Sequence, residues 1–495
     1  MKKDKSSENS QRAGNSKNHQ YEVTVGLEIH AELNTKTKLF CSSKNDPDET
    51  RPNVNVCPVC MGHPGTLPVL NKEAVRKIIM VGLALGGQIS ELTEFDRKHY
   101  FYPDIPKGYQ ISQYKHPLVT GGSLNGVAIT RVHLEEDTAR SSHDAHEGGQ
   151  FSLVDFNRSG VPLMELVTEP VIHSAGGASR FARELQLMLQ YLGASEANME
   201  KGEMRVEANI SVARHGVAER GTKVEVKNLN SFRAVEKAIE FETARHIELI
   251  ESGGKVLQET RGFDENSGKT FSQRLKEESH DYRYFPDPDI PKLKASDIPE
   301  LNPKNVAKDL PELPVERRVR FKKDFGLREE DIEIYIRDKK WGDYFENVAE
   351  HFDSNKELVG LASNYINSDL AGLVKENPNH WRENEIATAN MAKLVDMIGK
   401  GIVSSRGAKD ILKIMFERGG RPEEIAKEEN LIQKNDTSEL ATIVEKIINE
   451  QTKVVTDYKA GKTTALQFLI GQAMKATRGS ANPETLRKIF VEKLD

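Results

Sequence analysis

The sequence predicts an α+β fold in which a large, mostly antiparallel sheet forms a cradle and an all-helical region follows it. Two observations carry this. In the N-terminal half, several runs alternate apolar and polar residues with the period of a strand that buries one face and leaves the other open. After the proline-rich passage that ends at Pro311–Pro314, the apolar period lengthens to about 3.6 and strand signals thin out.

Residues 1–19 are polar and charged and read as a disordered tail. The run Tyr21–Leu33 is the first strand. Val23, Val25, Leu27, Ile29, Ala31 and Leu33 take one face, and Glu22, Thr24, Gly26, Glu28, His30 and Glu32 the other. A carboxylate and an imidazole two positions apart suit a divalent cation, although alone they are an ordinary solvated strand face. In Ile129–His143 the residues Arg131, His133, Glu135 and Asp137 share one parity, against Val132, Leu134 and Glu136. Met204–Ala213 and Lys223–Phe232 alternate in the same way, with a turn between them over Arg214–Thr222. One helix, His173–Gly193, sets Phe181, Leu185, Met188 and Leu192 on a single stripe that should cover the apolar sheet face, and Gly193 stops it. These runs make residues 20–311 one cradle domain whose open face is lined with Glu, His, Lys, Arg and Asn. A helical domain over 312–422 follows, and Gly419, Gly420 and Pro422 break the pattern before a small helical tail domain at 423–495.

With 495 residues, 29% charged and 37% hydrophobic, the chain is long enough for several domains with real cores. It has no secretory apolar segment and no apolar run of membrane length, so it is expected in the cytoplasm and off the membrane. A net charge of -6 gives no whole-molecule attraction to nucleic acid, so RNA contacts must use local basic patches. The GKTT run at Gly461–Thr464 is not a phosphate loop, because Thr456 stands where the first glycine belongs. It opens a helix with Leu466, Leu469, Ile470 and Met474 at helical spacing and Lys475 and Arg478 nearby. The three cysteines, Cys41, Cys57 and Cys60, favour a zinc site over a disulfide in a cytosolic chain, with His63 as a candidate fourth ligand. Thiols that hold no metal are the open alternative.

Long ordered blocks carry a resemblance: GLEIHAEL, the CPVC loop, FDRKHYFYPDIPKGYQISQY, HLEED, DFNRSGVPLMELVTEP, VEVKNLNSF, HDYRYFPDPDI and FLIGQAMKATRGSANP. Nearly end to end, the chain resembles the GatB family, the B components of the tRNA-dependent amidotransferase GatCAB. The resemblance implies ATP-dependent phosphorylation of the side-chain carboxylate of mischarged Glu-tRNA(Gln) or Asp-tRNA(Asn), then amidation by ammonia. The ammonia would come from a glutaminase partner, GatA, with the small GatC protein completing a heterotrimer.

By the same resemblance His30, Glu136 and Glu165 hold magnesium, and Glu28 is an adjacent essential carboxylate. Strand parity disagrees, since Glu135 and not Glu136 shares the face of His133; a bulge or the strand's end would reconcile the two. Lys98 and Tyr100 carry over as catalytic and ATP-handling groups, with Arg158 and Lys227 as additions; the bland alternatives are solvated cations and a packing cluster of Tyr100, Phe101 and Tyr102. Zinc-bearing relatives have a C-x-C motif upstream of CPVC, where this chain has Cys41, Ser42 and Ser43. The tail resembles a YqeY-like domain, in which Lys459, Lys462, Lys475 and Arg478 would touch tRNA phosphate or simply form a solvated helix face. Two other readings are a tRNA-holding scaffold without chemistry and a GatE-type relative. The stretch after Pro288 is too short for the domain inserted in GatE-type chains.

Overall fold

A computed structural model describes residues 20–146, 149–275, 282–353, 355–433, 437–477 and 481–494; the tail expected over 1–19 and Arg478 lie outside them. The chain divides into two compact units, Met1–Leu313 and Pro314–Asp495.

Among the described residues the first unit holds fifteen strands: β1 (Tyr21–Glu32), β2 (Gln88–Ile89), β3 (Asp96–His99), β4 (Tyr109–Ser112), β5 (Val119–Thr120), β6 (Ser123–Leu124), β7 (Val127–Glu136), β8 (Arg140–His146), β9 (Gly149–Asp155), β10 (Pro162–Thr168), β11 (Met204–Arg214), β12 (Val224–Leu229), β13 (Glu259–Asp264), β14 (Lys269–Leu275) and β15 (Phe285–Pro286). Ten form one sheet in the order β14-β13-β12-β11-β1-β10-β7-β5-β2, with β6 beside β7. The pairing is antiparallel except between β12 and β13, which run parallel. A parallel neighbour needs a crossover, and the helix Phe232–Glu251 supplies it. A smaller sheet, β15-β3-β4, and the ribbon β8-β9 complete the set.

Three helices cover the apolar face: α1 (Lys72–Ala84), α2 (Ala175–Tyr191) and α3 (Phe232–Glu251). Asn71, Ser174 and Ser231 cap them, each side chain accepting backbone N–H bonds of the first turn. The stripe Phe181, Leu185, Met188 and Leu192 is buried, together with Ile78, Ile79, Val235 and Ile239, against Val25, Leu27, Ile29 and Ala31 of β1. Gly193, at φ +60, turns the chain out of α2, a backbone state that costs glycine little. Alternation in β1 therefore puts Glu28 and His30 on the opposite, open face.

The second unit is helical. Phe321, Tyr335 and Phe345 are fully buried at its core, with the rings of Tyr335 and Phe345 stacked 4.3 Å apart. Gly419 and Gly420 end the helix Ser405–Arg418, as their spacing predicts, and Pro422 starts the next helix. That helix, Pro422–Glu428, packs on the helices Thr388–Gly399 and Ser405–Arg418 before it. The separate terminal core begins only at Leu440 and gathers Val444, Leu469, Leu486 and Phe490. Among the described residues no helix is long and apolar enough to cross a membrane.

Candidate active site

The open face of the large sheet carries a cavity of about 360 Å³, and the register of four strands builds its floor. Across β11, β1, β10 and β7 the residues Arg205, His30, Glu165 and His133 stand abreast. His30 Nε2 lies 3.4 Å from Glu165 Oε2 and 3.8 Å from Glu135 Oε1. His133 Nε2 lies 3.3 Å from the same Glu165 oxygen. Ser112 Oγ donates to Glu135 at 2.8 Å.

A second acidic group stands beside the first. Glu28 faces Glu207 directly across the β1–β11 pairing, and Glu225 joins them from β12, so that their oxygens lie within 4.8 Å of one another. Like charges opposed in a sheet repel. Asn209 Nδ2 donates to Glu28 at 2.8 Å, Lys227 Nζ sits 2.9 Å from Glu207, and Thr260 Oγ1 donates to Glu225 at 2.8 Å.

Charge is held unusually throughout. Burial opposes a positive His30, but Glu165, Glu207 and Glu135 outweigh it and hold the imidazolium up to about 9. Burial would raise Glu165, yet His133 and His30 keep its carboxyl well below the usual range. Burial, then Glu165, Glu207 and Glu225, push the Glu28 carboxyl up. Burial opposes charge on Lys98, and Glu135 and its neighbours reverse that and raise it well above its ordinary value. Burial first, with Glu135, Asp104 and Asp137 adding to it against Lys98, lifts the Tyr100 phenol. At the edge, Arg205 Nη2 donates to both oxygens of Asp137, at 3.1 and 3.0 Å.

His30, Glu135 and Glu165 thus form one cluster with metal-ligand spacing, and Glu28, Glu207 and Glu225 another. Oxygen-rich sets with one imidazole fit magnesium, which binds through a few carboxylates and retains water. Glu136 does not reach the first cluster. Its side chain points to the other side of β7, where Lys107 Nζ lies 2.5 Å away and the Ile111 N–H donates to it at 2.9 Å. The parity of the strand, unbroken at this end, decides between the two carboxylates, and Glu135 occupies the place expected for Glu136. Arg158 is also outside the cavity, donating to Thr138 O at 3.1 Å and lying 3.4 Å from Asp137. Lys98, Tyr100 and Lys227 line the cavity.

Glu207, Glu225, Asn209, Arg205, Tyr282 and Tyr284 were not singled out by the sequence, although the first four sit on the polar parity of their strands. The cysteines gather, with Cys57 Sγ and Cys60 Sγ 3.9 Å apart and Cys41 within reach. His63 is not part of that cluster. The fully buried Lys38 places its Nζ 3.6 Å from Cys60 Sγ, and Ser43 Oγ stands 4.0 Å away. Three thiols beside an ammonium, one ligand short, do not fit a closed structural zinc site.

Comparison with known proteins decides the family. The description "GatB/GatE catalytic domain" fits residues 23–298, and "GatB domain" fits residues 343–494. The chain belongs to the GatB family. A relative from Persephonella marina, the B component of an aspartyl/glutamyl-tRNA(Asn/Gln) amidotransferase, is 43% identical over 483 residues, covering 96% of this chain and 100% of its own. The namesake from Carboxydothermus hydrogenoformans is 42% identical over 484 residues, and that from Gloeothece citriformis 40% over 493, each again spanning 96% of this chain. Every residue that lines the cradle cavity of this GatB chain falls within the stretch that fits the catalytic-domain description.

Proposed function

We propose that this GatB chain carries the kinase and transamidase chemistry of a tRNA-dependent amidotransferase, acting on Glu-tRNA(Gln) or Asp-tRNA(Asn). A side-chain carboxylate oxygen of the aminoacyl group attacks the γ-phosphorus of ATP, the bond to the β-phosphate oxygen breaks, and ADP leaves. Ammonia then attacks the acyl carbon, the carbon–oxygen bond to phosphate breaks, and ammonia gives up a proton as the amide forms. The observation that carries this reading is one cavity in which two acidic clusters face Lys98, Arg131, Arg205 and Lys227. Phosphoryl transfer needs little covalent help and much positioning and charge neutralisation, which such a lining supplies.

Magnesium bound by Glu135, Glu165 and His30, or by Glu28, Glu207 and Glu225, would neutralise phosphate charge and orient the γ-phosphoryl group. The chain's own groups do the rest. His133 and Arg131, 3.3 and 3.8 Å from Glu165, fix that carboxylate, and Lys98 stands ready for the transferring oxygens. Ammonia is assigned to a separate glutaminase, GatA, with the small GatC protein completing the heterotrimer in the cytoplasm. In the tail Lys459, Lys462 and Lys475 are exposed and suited to tRNA phosphate. No observation favours a scaffold without chemistry.

The test is to assemble the chain with its partner proteins and follow ATP hydrolysis with and without mischarged tRNA, using ammonium as nitrogen donor. Hydrolysis that rises only with mischarged tRNA, together with amide formed from ammonium, is expected. A folded complex with no tRNA-dependent hydrolysis would sink the catalytic reading.

A further inference from the structure

Along the rim of the cavity five tyrosines make a continuous arc. Tyr114 lies flat on Tyr284, with centroids 4.4 Å apart and planes 8° from parallel. Tyr284 meets Tyr282 edge-on at 6.1 Å, Tyr282 meets Tyr100 at 6.1 Å, and Tyr100 meets Tyr102 at 6.0 Å. Tyr100, Tyr114, Tyr282 and Tyr284 line the cavity itself.

Core packing does not account for the arc. Tyr114 is 44% and Tyr102 52% exposed, and none of the five belongs to the hydrophobic core under the sheet. Rings of this size left beside water forgo burial that would favour the fold. The segment that carries two of them is nevertheless held firmly. Phe285–Pro286 pairs with β3, the Arg97 guanidinium donates to Asp287 at 2.7 Å, and Arg283 between the two tyrosines takes φ +47. A side chain in the left-handed region persists only where its surroundings impose it.

We infer that the Tyr114–Tyr284 stack is the seat of an adenine ring. The inference rests on the proposed activity and deepens it, since both substrates of that reaction end in adenine: ATP, and the 3′-terminal adenosine whose ribose bears the aminoacyl ester. Every base offers a π-face, and aromatic side chains beside a cationic groove are how proteins hold bases without reading them. The exposed face of Tyr114 continues the stack by one ring. From there the arc leads inward to Lys98, whose Nζ lies 5.2 Å from the centre of the Tyr282 ring and 5.7 Å from that of Tyr100. A base held at the rim leaves phosphate or acyl oxygens over the cations and carboxylates of the floor.

The experiment compares Tyr114→Ala, Tyr114→Leu and Tyr114→Phe in the assembled enzyme, measuring KM for ATP and for mischarged tRNA separately with ammonium as donor. Loss of the ring in the Ala and Leu variants should raise one of the two KM values about five- to a hundredfold, the range base stacking commands. Phe, which keeps the ring, should stay within about twofold of the parent in that same range of effects. A rise in the KM for ATP assigns the seat to the nucleotide, and a rise for tRNA assigns it to the terminal adenosine. Unchanged KM values in the folded Leu variant overturn the inference, as does a Phe variant as weak as Ala. Failure of the parent enzyme to turn over sinks the proposed function itself, a result separate from an active parent indifferent to Tyr114.

Discussion

Glu135 and Glu136 are chain neighbours on opposite sides of β7: Glu135 Oε1 lies 3.8 Å from His30 Nε2, while Glu136 pairs with Lys107 behind the strand. The two carboxylates are therefore expected to do different work. Glu135→Gln is expected to lower transamidation and tRNA-dependent ATP hydrolysis by about a hundredfold or more, as loss of a charge aimed at a phosphoryl-transfer site does. Glu136→Gln should keep most of the activity and lower stability by about 1–3 kcal/mol, because it disturbs a buried hydrogen-bonded pair. Steady-state rates beside thermal melting separate the two, and equal activity loss in both would refute the assignment.

Glu28, Glu207 and Glu225 crowd their carboxylates together, and burial first, then the neighbouring charges of Glu165, Glu207 and Glu225, raise the Glu28 carboxyl. Glu28→Gln, at the carboxyl that is raised, should increase the melting temperature measured in a chelator, by relief worth about 1 kcal/mol. The same variant should lose most of the stabilisation that the parent gains on adding magnesium. Melting curves in chelator and in magnesium test both statements, and a variant stabilised by magnesium as much as the parent would remove this cluster from consideration as a cation site.

The acid limb of stability should depend on Glu242, which is fully buried on α3 between Arg245, Arg261 and His246. Burial would raise its carboxyl, but His246 3.2 Å away and the hydrogen bonds from Arg245 and Thr270 bring it down to about 2. A carboxylate depressed in the folded state stabilises fully above its unfolded value of about 4.5 and loses that contribution as pH falls toward 2, on the order of 3 kcal/mol in all. Denaturant titrations between pH 6 and about 3 should show a flatter acid limb in Glu242→Gln than in the parent. Parallel limbs would contradict the buried charge.

The cysteine cluster should hold well under one equivalent of zinc as purified, since a hydroxyl, that of Ser43, and not a fourth thiol stands 4.0 Å from Cys60 Sγ. Ser43→Cys completes a set of four thiols and should bring zinc content to about one equivalent. Metal analysis of both proteins decides the point; a full equivalent in the parent would show that three thiols suffice.

Much of the cradle was legible in the chain itself. The alternation in Tyr21–Leu33 settled which face of β1 holds Glu28 and His30, because a strand's side chains repeat every two residues whatever the fold around them. The same parity pointed to Glu135, and the departure toward Glu136 came from a motif matched by order along the chain, which carries no information about side-chain direction. The stripe on α2 was equally readable, since its apolar spacing follows from the helix period. The tail boundary was less so. Gly419, Gly420 and Pro422 do end a helix, but a local break does not say on which side the next helix will pack.

Sequence alone determined the period of each element and so the face on which each chemical side chain stands. Tertiary structure decided which faces meet. The register that sets His30 beside Glu165 and Glu28 beside Glu207 joins residues far apart in the chain through hydrogen bonds between strands, and no local pattern encodes it. The same holds for Tyr114 and Tyr284, whose stacking depends on β15 pairing with β3. Local periodicity is a property of neighbouring residues, whereas a site is a property of the sheet that gathers them.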